Sequence, residues 1–225
     1  SKVLRIYDLN VSVGGPIKRD RLWFFTSGRK AGTRNSTGGQ YFNKTQGTPF
    51  FTPDLDRPQF RKEWVTSLGG RLTWQASQKN KVSAFTDVQG FFNRGRGEFS
   101  APESASNAYN LSPQGLFQIS VNSVRTSKLL IEAGASYAMN QWPFPSPGAD
   151  FMRVSPNDIS ILEQSTGFRY NAKQNYSNVV DQFRYSERFL VSYITGSHSF
   201  KTGIQLEQGV NNSDQEVHGD VNYTF

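Results

Sequence analysis

Two stretches of the sequence place arginine beside large aromatic residues. "FFNRGRGEF", residues 91–99, carries Arg94 and Arg96, and "QWPFPSPGADFMRV", residues 141–154, carries Trp142, Phe144 and Arg153. Aromatic faces together with guanidinium groups suit sugars, aryl groups or anions. We therefore predict that these five residues contact a ligand, against the alternative that they are ordinary loop-tip residues. The first stretch also has the composition of a single-strand nucleic-acid binder, but one such stretch is weak support and we predict no nucleic-acid partner.

Residues for bond chemistry are not assembled anywhere in the sequence. Ser197-His198-Ser199 lies in a short turn with no carboxylate placed beside it. Asp54-Leu55-Asp56 resembles the start of a calcium loop but lacks its glycine and closing glutamate. The chain has no cysteine and two isolated histidines, which makes a thiolate or zinc site improbable. We predict no catalytic residue, no metal, no cofactor and no enzymatic activity.

The composition is polar but unusually aromatic. Only 36% of the 225 residues are hydrophobic, the mean hydropathy is −0.58, and 14% are aromatic. No window approaches the roughly 18 apolar residues of a transmembrane helix. The net charge of +7 is spread along the chain, so it does not by itself indicate an anionic partner. No signal peptide precedes the first strand-like residues, and we interpret the sequence as an internal piece of a longer chain.

Apolar and polar residues alternate over long segments of the chain. Period-2 patterning over ten or so residues predicts half-buried β-strands, and helical periodicity is hard to find. We predict about nine strands; they lie near 3–13, 21–29, 63–76, 81–92, 114–124, 128–140, 182–194, 199–211 and 216–225. Most exceed the usual 5–6 residues of a strand in a soluble protein and reach the roughly 9–11 that cross a membrane.

The connections between these strands alternate in length. Short connections fall near 14–20, 77–80, 125–127 and 196–198, and long ones near 30–62, 93–113 and 141–181. In an up-and-down meander this puts tight turns at one end and long loops at the other, as in outer-membrane barrels. The connection near 212–215 is short where a long one is due. We predict an all-β, antiparallel up-and-down meander that is part of a transmembrane outer-membrane β-barrel.

The alternation also assigns side chains to faces. We expect Arg71, Gln75, Glu132 and Glu207 on a lumenal face, and Leu68, Leu72, Ile131 and Ile204 on a lipid face. Aromatic residues near the ends of the strands predict two interfacial girdles. Near the short turns these are Trp23, Phe24, Phe25, Trp74, Tyr193 and Phe200, and near the long loops Trp64, Phe91, Phe92 and Tyr137.

One stretch resembles a known family. "GGPIKRDRLWFF", residues 14–25, closely resembles a segment near the start of the barrel in TonB-dependent outer-membrane receptors, most of all those with an N-terminal carboxypeptidase-regulatory-like domain. "SHSFKTGIQLEQG", residues 197–209, is similar to a more generic hairpin of the same barrels. The resemblance, with the meander, covers essentially the whole of residues 1–225.

The resemblance implies a function in ligand import. Such receptors are 22-stranded barrels plugged by an N-terminal domain, and they import siderophores, oligosaccharides or similar ligands with energy delivered by TonB. It implies that residues 1–225 are a partial barrel, without the plug and the remaining strands, in the bacterial cell outer membrane. Partners would be outer-membrane lipid, the TonB complex through segments outside this sequence, and a small-molecule or oligosaccharide ligand. The alternatives are a small complete outer-membrane barrel, such as an adhesin or porin, and a soluble β-rich carbohydrate-binding module.

Overall fold

Long antiparallel strands dominate the structure. The computed structural model describes residues 2–96, 100–102, 105–143 and 154–225. Within these ranges one sheet contains eight strands in the order β1-β2-β3-β4-β5-β6-β9-β10. They are β1 Val3–Lys18, β2 Leu22–Asn43, β3 Pro53–Ser77, β4 Asn80–Arg96, β5 Asn107–Val124, β6 Leu129–Gln141, β9 Val180–Thr195 and β10 His198–Ser213. Each strand of this sheet pairs with the next one along the chain, if the short strands β7 and β8 of a small second sheet are left out. This order confirms the predicted up-and-down meander.

Most of the strands are longer than the sequence pattern predicts, and most of the extra length lies at the long-loop end, although β1 also extends at its short-turn end, to Lys18. β2 continues to Asn43 and β3 begins at Pro53, where alternation predicted a loop over 30–62. In this part of the hairpin pairing is unbroken as far as Ser36 opposite Phe60 and resumes, after an irregularity, from Tyr41 to Asn43. The sequence here is polar and glycine-rich and has no period-2 apolar pattern. Three of the four short turns lie close to the predicted positions, whereas the first, predicted over 14–20, is reduced to residues 19–21 because β1 continues to Lys18. The alternation of short and long connections holds for the eight strands of the sheet.

The predicted ninth strand over 216–225 is wrong. After β10 the chain enters a single 3₁₀ turn, His218–Asp220, and then the short strand β11, Asn222–Thr224. β11 pairs in parallel with β7, Ser160–Glu163, which pairs with β8, Phe168–Tyr170. The segment therefore belongs to the long-loop end of the molecule. The connection near 212–215 was predicted to be short where a long one was due, because the residues after it were wrongly assigned to a ninth strand of the meander.

Register assigns every strand residue to one of two faces. Directly paired residues point to the same side, and alternate residues along a strand share a side. One row of pairs joins Leu72, Ala84, Ile119, Ala135, Glu187 and Leu206, and the adjacent row joins Arg71, Phe85, Gln118, Ser136, Ser186 and Glu207. We call the side of Leu72 the apolar face and the side of Arg71 the polar face. All eight residues whose faces were predicted lie as expected.

The apolar face is not covered by any other described part of the chain. Its side chains include Leu68, Leu72, Ile119, Phe189, Ile204 and Leu206, which are between 48% and 66% exposed. Glu187 is an exposed carboxylate among them. A sheet in water buries such a face against a second layer, so an uncovered one indicates an apolar surrounding. No helix in the described ranges is long and apolar enough to cross a membrane.

The predicted aromatic girdles are partly wrong. Phe24, Trp74, Tyr193, Phe200, Trp64, Phe92 and Tyr137 lie on the apolar face, whereas Trp23, Phe25 and Phe91 lie on the polar face. Neighbours along a strand point to opposite sides, so a run such as Trp23-Phe24-Phe25 cannot contribute all its rings to one face.

The long connections meet in a compact unit with its own core, which we call the loop cap: residues 44–52, 100–102, 105–106, 154–180 and 214–225. Ala101, Ile161 and Tyr170 are buried together, with Phe51 and Phe168 packed against them. Tyr176 is 1% exposed, and its ring stacks on His218 at 4.3 Å between centroids. The fully buried apolar core therefore lies beside the strands' ends and not on the sheet.

Replacing Tyr176 by alanine is expected to loosen the loop cap and leave the sheet intact. Loss of a buried aromatic ring costs about 3 kcal/mol. Hydrogen exchange at the Asp214 amide, which donates to the Val179 carbonyl at 3.0 Å, should accelerate accordingly, while β5 amides keep their rates. Tyr223→Ala, at a ring 47% exposed, is the matched control. Equal acceleration in β5 would contradict an independent cap.

Candidate ligand-binding site

Side-chain amides form a ladder at the long-loop end of the polar face. Gln114 of β5 donates from Nε2 to Asn140 Oδ1 at 2.7 Å, and Asn140 donates from Nδ2 to Gln182 Oε1 at 3.3 Å. Gln182 pairs directly with Asn211 of β10. These four residues come from four consecutive strands of the sheet, because register brings one amide from each to the same level.

Charged groups on the polar face nearer to the short turns form hydrogen bonds with neighbours on the same face. Lys201 donates to Glu132 at 3.3 Å, and Ser67 and Gln89 donate to the two oxygens of Asp87 at 3.0 and 2.6 Å. The contacts of Lys201 and Ser67 join different strands, and that of Gln89 lies within β4; such exposed polar pairs stabilise a sheet modestly. The polar face is therefore suited to line an aqueous space.

A cleft of about 330 Å³ lies where the amide ladder meets the loop cap. Its aromatic walls are Trp142, Tyr109 and Tyr176, and the remaining lining is Lys173, Asn175, Ser177, Val180, Gln182, Asn211, Ser213 and Gln215. The Trp142 backbone N–H donates to the Val180 carbonyl at 3.0 Å, which fixes the start of the loop against β9. Ring faces beside amides and hydroxyls are the groups that bind sugars and other polar ligands rich in oxygen.

Two residues that line the cleft, Lys173 and Tyr176, have shifted pKa values. The Lys173 backbone N–H donates to the Tyr176 hydroxyl at 3.0 Å, and the Lys173 ammonium lies 5.3 Å from the centre of that ring. Burial lowers the pKa of Lys173 to about 8, and burial raises the pKa of Tyr176 to about 12. The chain therefore holds an amine here that changes charge in mildly alkaline water.

Of the five predicted site residues, the structure describes the side chains of Trp142 and Arg94, and these two line different cavities. Trp142 lines the cleft, whereas Arg94 lies on the side of the apolar face, packed over Phe60. Arg96 ends β4, and its side chain lies outside what the structure describes, as do Phe144 and Arg153 altogether.

Lys173, Tyr176 and Gln182 line the cleft and were missed. Gln182 sits at an alternating polar position of β9, so the strand pattern contained its signal. Lys173 and Tyr176 lie in loop sequence whose folding depends on distant segments, and no local pattern identifies them.

The described lining of the cleft offers amides, hydroxyls, an amine and aromatic rings. One of its hydroxyls, that of Ser177, donates to the Asp214 carboxylate at 2.8 Å. In the ranges that the structure describes, no group of three or more His, Asp or Glu side chains could hold a metal ion.

The loop cap is expected to become more stable between pH 8 and pH 10. The folded-state pKa of Lys173, about 8, lies below the ordinary 10.5, so in this window the unfolded cap binds more protons than the folded one and stability rises with pH. The limiting slope is about 1.4 kcal/mol per pH unit. Above pH 10 the raised pKa of Tyr176 acts in the opposite direction.

The measurement is the opening free energy of the Asp214 amide by hydrogen exchange, corrected for the intrinsic pH dependence of exchange. Lys173→Met should flatten the profile. A rise that persists in Lys173→Met would contradict the assignment to this amine.

Comparison with known proteins gives one distant likeness in structure. No family model matches the chain, and no curated protein matches it. A solved structure described as the outer membrane transporter YddB from Escherichia coli superposes with a TM-score of 0.48 and 10% sequence identity. The match covers 89% of this chain and 24% of that one, so the chain spans about a quarter of that transporter's length. A likeness at this level does not bear on function.

Proposed function

We propose that this chain is part of the membrane-spanning β-barrel of a transporter in the bacterial outer membrane. The observation that carries the proposal is the apolar face, which eight consecutive strands build and no described part of the chain covers. Lipid supplies the missing layer, and the polar face then lines the lumen.

The height of the apolar face supports this placement. Trp64 and Trp74 lie on this face at opposite ends of one alternating segment of β3, ten residues apart. Ten residues span about 33 Å along a strand, and a tilt of about 40° reduces this to about 25 Å, the height of the apolar band of outer-membrane barrels. Amphipathic rings at the two limits fit the headgroup levels.

The cleft at the loop end of the polar face supports ligand capture. It opens where the lumenal wall meets the loop cap, and its rings and amides suit an oligosaccharide or a siderophore-like ligand. The motif at residues 14–25 supports the finer proposal of a TonB-dependent receptor. In that proposal TonB acts through parts of the protein outside these 225 residues, and there is no bond chemistry.

Arginine is expected to be tolerated on one face of β5 and not on the other. Ile119 lies at mid-height of the apolar face between Ala84 and Ala135, and Gln118 beside it lies on the polar face. Ile119→Arg should cost about 2–4 kcal/mol of folding free energy in a bilayer, and Gln118→Arg far less. Urea unfolding from lipid vesicles measures both. Equal costs would contradict a lipid-facing apolar face.

Energised uptake tests the transport proposal. Cells with and without the gene are given a mixture of neutral oligosaccharides and ferric hydroxamate siderophores, and depletion of each compound is followed with and without a proton uncoupler. Gene-dependent uptake that the uncoupler abolishes is expected. Gene-dependent uptake that survives the uncoupler would indicate a passive pore, and no gene dependence would contradict import of these classes.

Trp142 is expected to contribute to ligand affinity in that assay. Removing a stacking ring from a binding cleft typically costs more than 1 kcal/mol, so Trp142→Ala should raise the half-saturating concentration about tenfold. Trp74→Ala, on the apolar face near the short turns, is the matched control and should leave it unchanged. An unchanged value in Trp142→Ala would show that capture occurs elsewhere.

A further inference from the structure

One row of the polar face crosses all eight strands of the sheet and consists mainly of side-chain amides. Direct pairing places six amides in it: Asn10, Gln89, Gln114, Asn140, Gln182 and Asn211. Arg29 and Ser67 complete the row on β2 and β3. We call these eight residues the polar row, and it includes the amide ladder. Neighbouring strands are about 4.8 Å apart, so the row is about 34 Å long.

The rows directly beside the polar row have a different composition. Within the described sheet, the next row of this face towards the short turns contains no asparagine or glutamine and includes Gly69, Leu116 and Ala138. On the other side the neighbouring row contains none over β1–β4 either, and it includes Ala31 and Val65. Small and apolar neighbours leave the amides accessible and offer contacts to the carbon faces of a sugar ring. The amides therefore form one continuous lane and are not spread over the face.

The polar row is close to neutral. Its one charged residue, Arg29, donates from Nε and Nη2 to the two carboxylate oxygens of Asp8 at 3.0 and 2.7 Å, on the same face. The next row towards the short turns carries one charge of each sign, Asp87 and Arg184. A lane of this kind favours a ligand that is polar but uncharged, because no excess of either sign is present to pair with an ion.

The polar row is inclined relative to the ends of the strands. Gln182 lies 13 residues from the short-turn end of β9 at Thr195, whereas Arg29 lies 7 residues from the short-turn end of β2 at Leu22. The difference of six residues is about 20 Å along a strand. Such an incline follows from the stagger of neighbouring strands in a barrel. Because Gln182 and Asn211 also line the cleft, the row leads from the cleft towards the short-turn end of the sheet.

Amides suit the hydroxyl groups of sugars. Each amide offers two N–H hydrogens and a carbonyl oxygen, so the lateral bonds from Gln114 to Asn140 and from Asn140 to Gln182 use only part of its capacity. A sugar hydroxyl both donates and accepts, and it can meet either end of an amide. The row offers one hydrogen-bonding side chain about every 4.8 Å, which is close to the length of one sugar unit in an extended glycan.

We propose that the polar row binds an extended, neutral oligosaccharide, about one sugar unit to each strand, with the outer end of the glycan in the cleft. This narrows the ligand class, because a compact siderophore would fill the cleft and leave the row unused. The inference rests on the proposed lumenal position of the polar face. It goes beyond that proposal, since an aqueous wall needs polar groups but no continuous lane of amides.

The test measures affinity against glycan length. The whole protein, purified from the membranes of cells that express it, is titrated calorimetrically with neutral fragments of glucans, xylan and mannan, each from two sugar units to eight. In at least one series the affinity should rise about fivefold with each added unit that gains a hydrogen bond. Asn10→Ala with Gln89→Ala should weaken binding of the eight-unit fragment about 25-fold and leave the two-unit fragment, which reaches only the cleft, unchanged.

Gln118→Ala with Asn122→Ala is the matched control. It removes the same two side-chain types from the polar face of β5, nearer to the short turns and outside the polar row, and it should leave the affinity unchanged at every length. The length series of the unaltered protein needs no substitution, so the test stands even if a variant does not fold.

Three results would overturn the inference: no series binds, affinity does not depend on length, or the length dependence survives Asn10→Ala with Gln89→Ala. In each case gene-dependent uptake that the uncoupler abolishes would leave the proposed function standing, with a compact ligand held in the cleft alone. Absence of any gene-dependent uptake would overturn the proposed function as well.

Discussion

Direct register between neighbouring strands is the constraint on which the rest of the structure depends. Because side chains alternate with period two, a slip of one residue in any strand would move its apolar set to the opposite face. From Lys62 paired with Arg94 to Gln75 paired with Lys81, β3 and β4 keep one uninterrupted register. Across the described sheet the irregularities lie towards the strand ends. Eight weak alternations therefore add up to two continuous faces of opposite character.

These two faces require different surroundings, and the proposed function rests on that requirement. The polar face satisfies its charges by cross-strand pairs such as Lys201 with Glu132. The apolar face has no second protein layer among the described residues, and in the proposed placement lipid takes that position. The loop cap differs from both, because it buries Tyr176 and Ile161 in a core of its own. In the proposed function, the cleft would therefore lie between a loop cap with its own buried core and a wall that faces lipid.

The sequence predicted what depends on alternation and missed what depends on distant contacts. The short turns, the antiparallel meander and the faces of Leu72 and Arg71 follow from period two alone. The extension of β2 to Asn43 was missed because its polar and glycine-rich sequence has no period-2 pattern, and the burial of Phe42 near its end depends on contacts that no local pattern shows. The loop cap forms from segments far apart in the chain, which no local pattern reveals. Arg94 was predicted to contact a ligand because aromatic residues lie beside it in the sequence. It shares a face with Phe92, two residues earlier. Only the register of the strands shows that it lies in a row of cationic residues.

The most direct test of the two-face account is a nitroxide scan of β5 in a bilayer. The chain has no cysteine, so single cysteines at successive positions from 115 to 122 can each be labelled, and collision rates measured with dissolved oxygen and with a water-soluble nickel chelate. The account predicts period-two alternation in opposite phase, with oxygen favoured at Phe117, Ile119 and Val121 and the chelate favoured at Gln118 and Ser120. Uniform access of the chelate to both sets would contradict it.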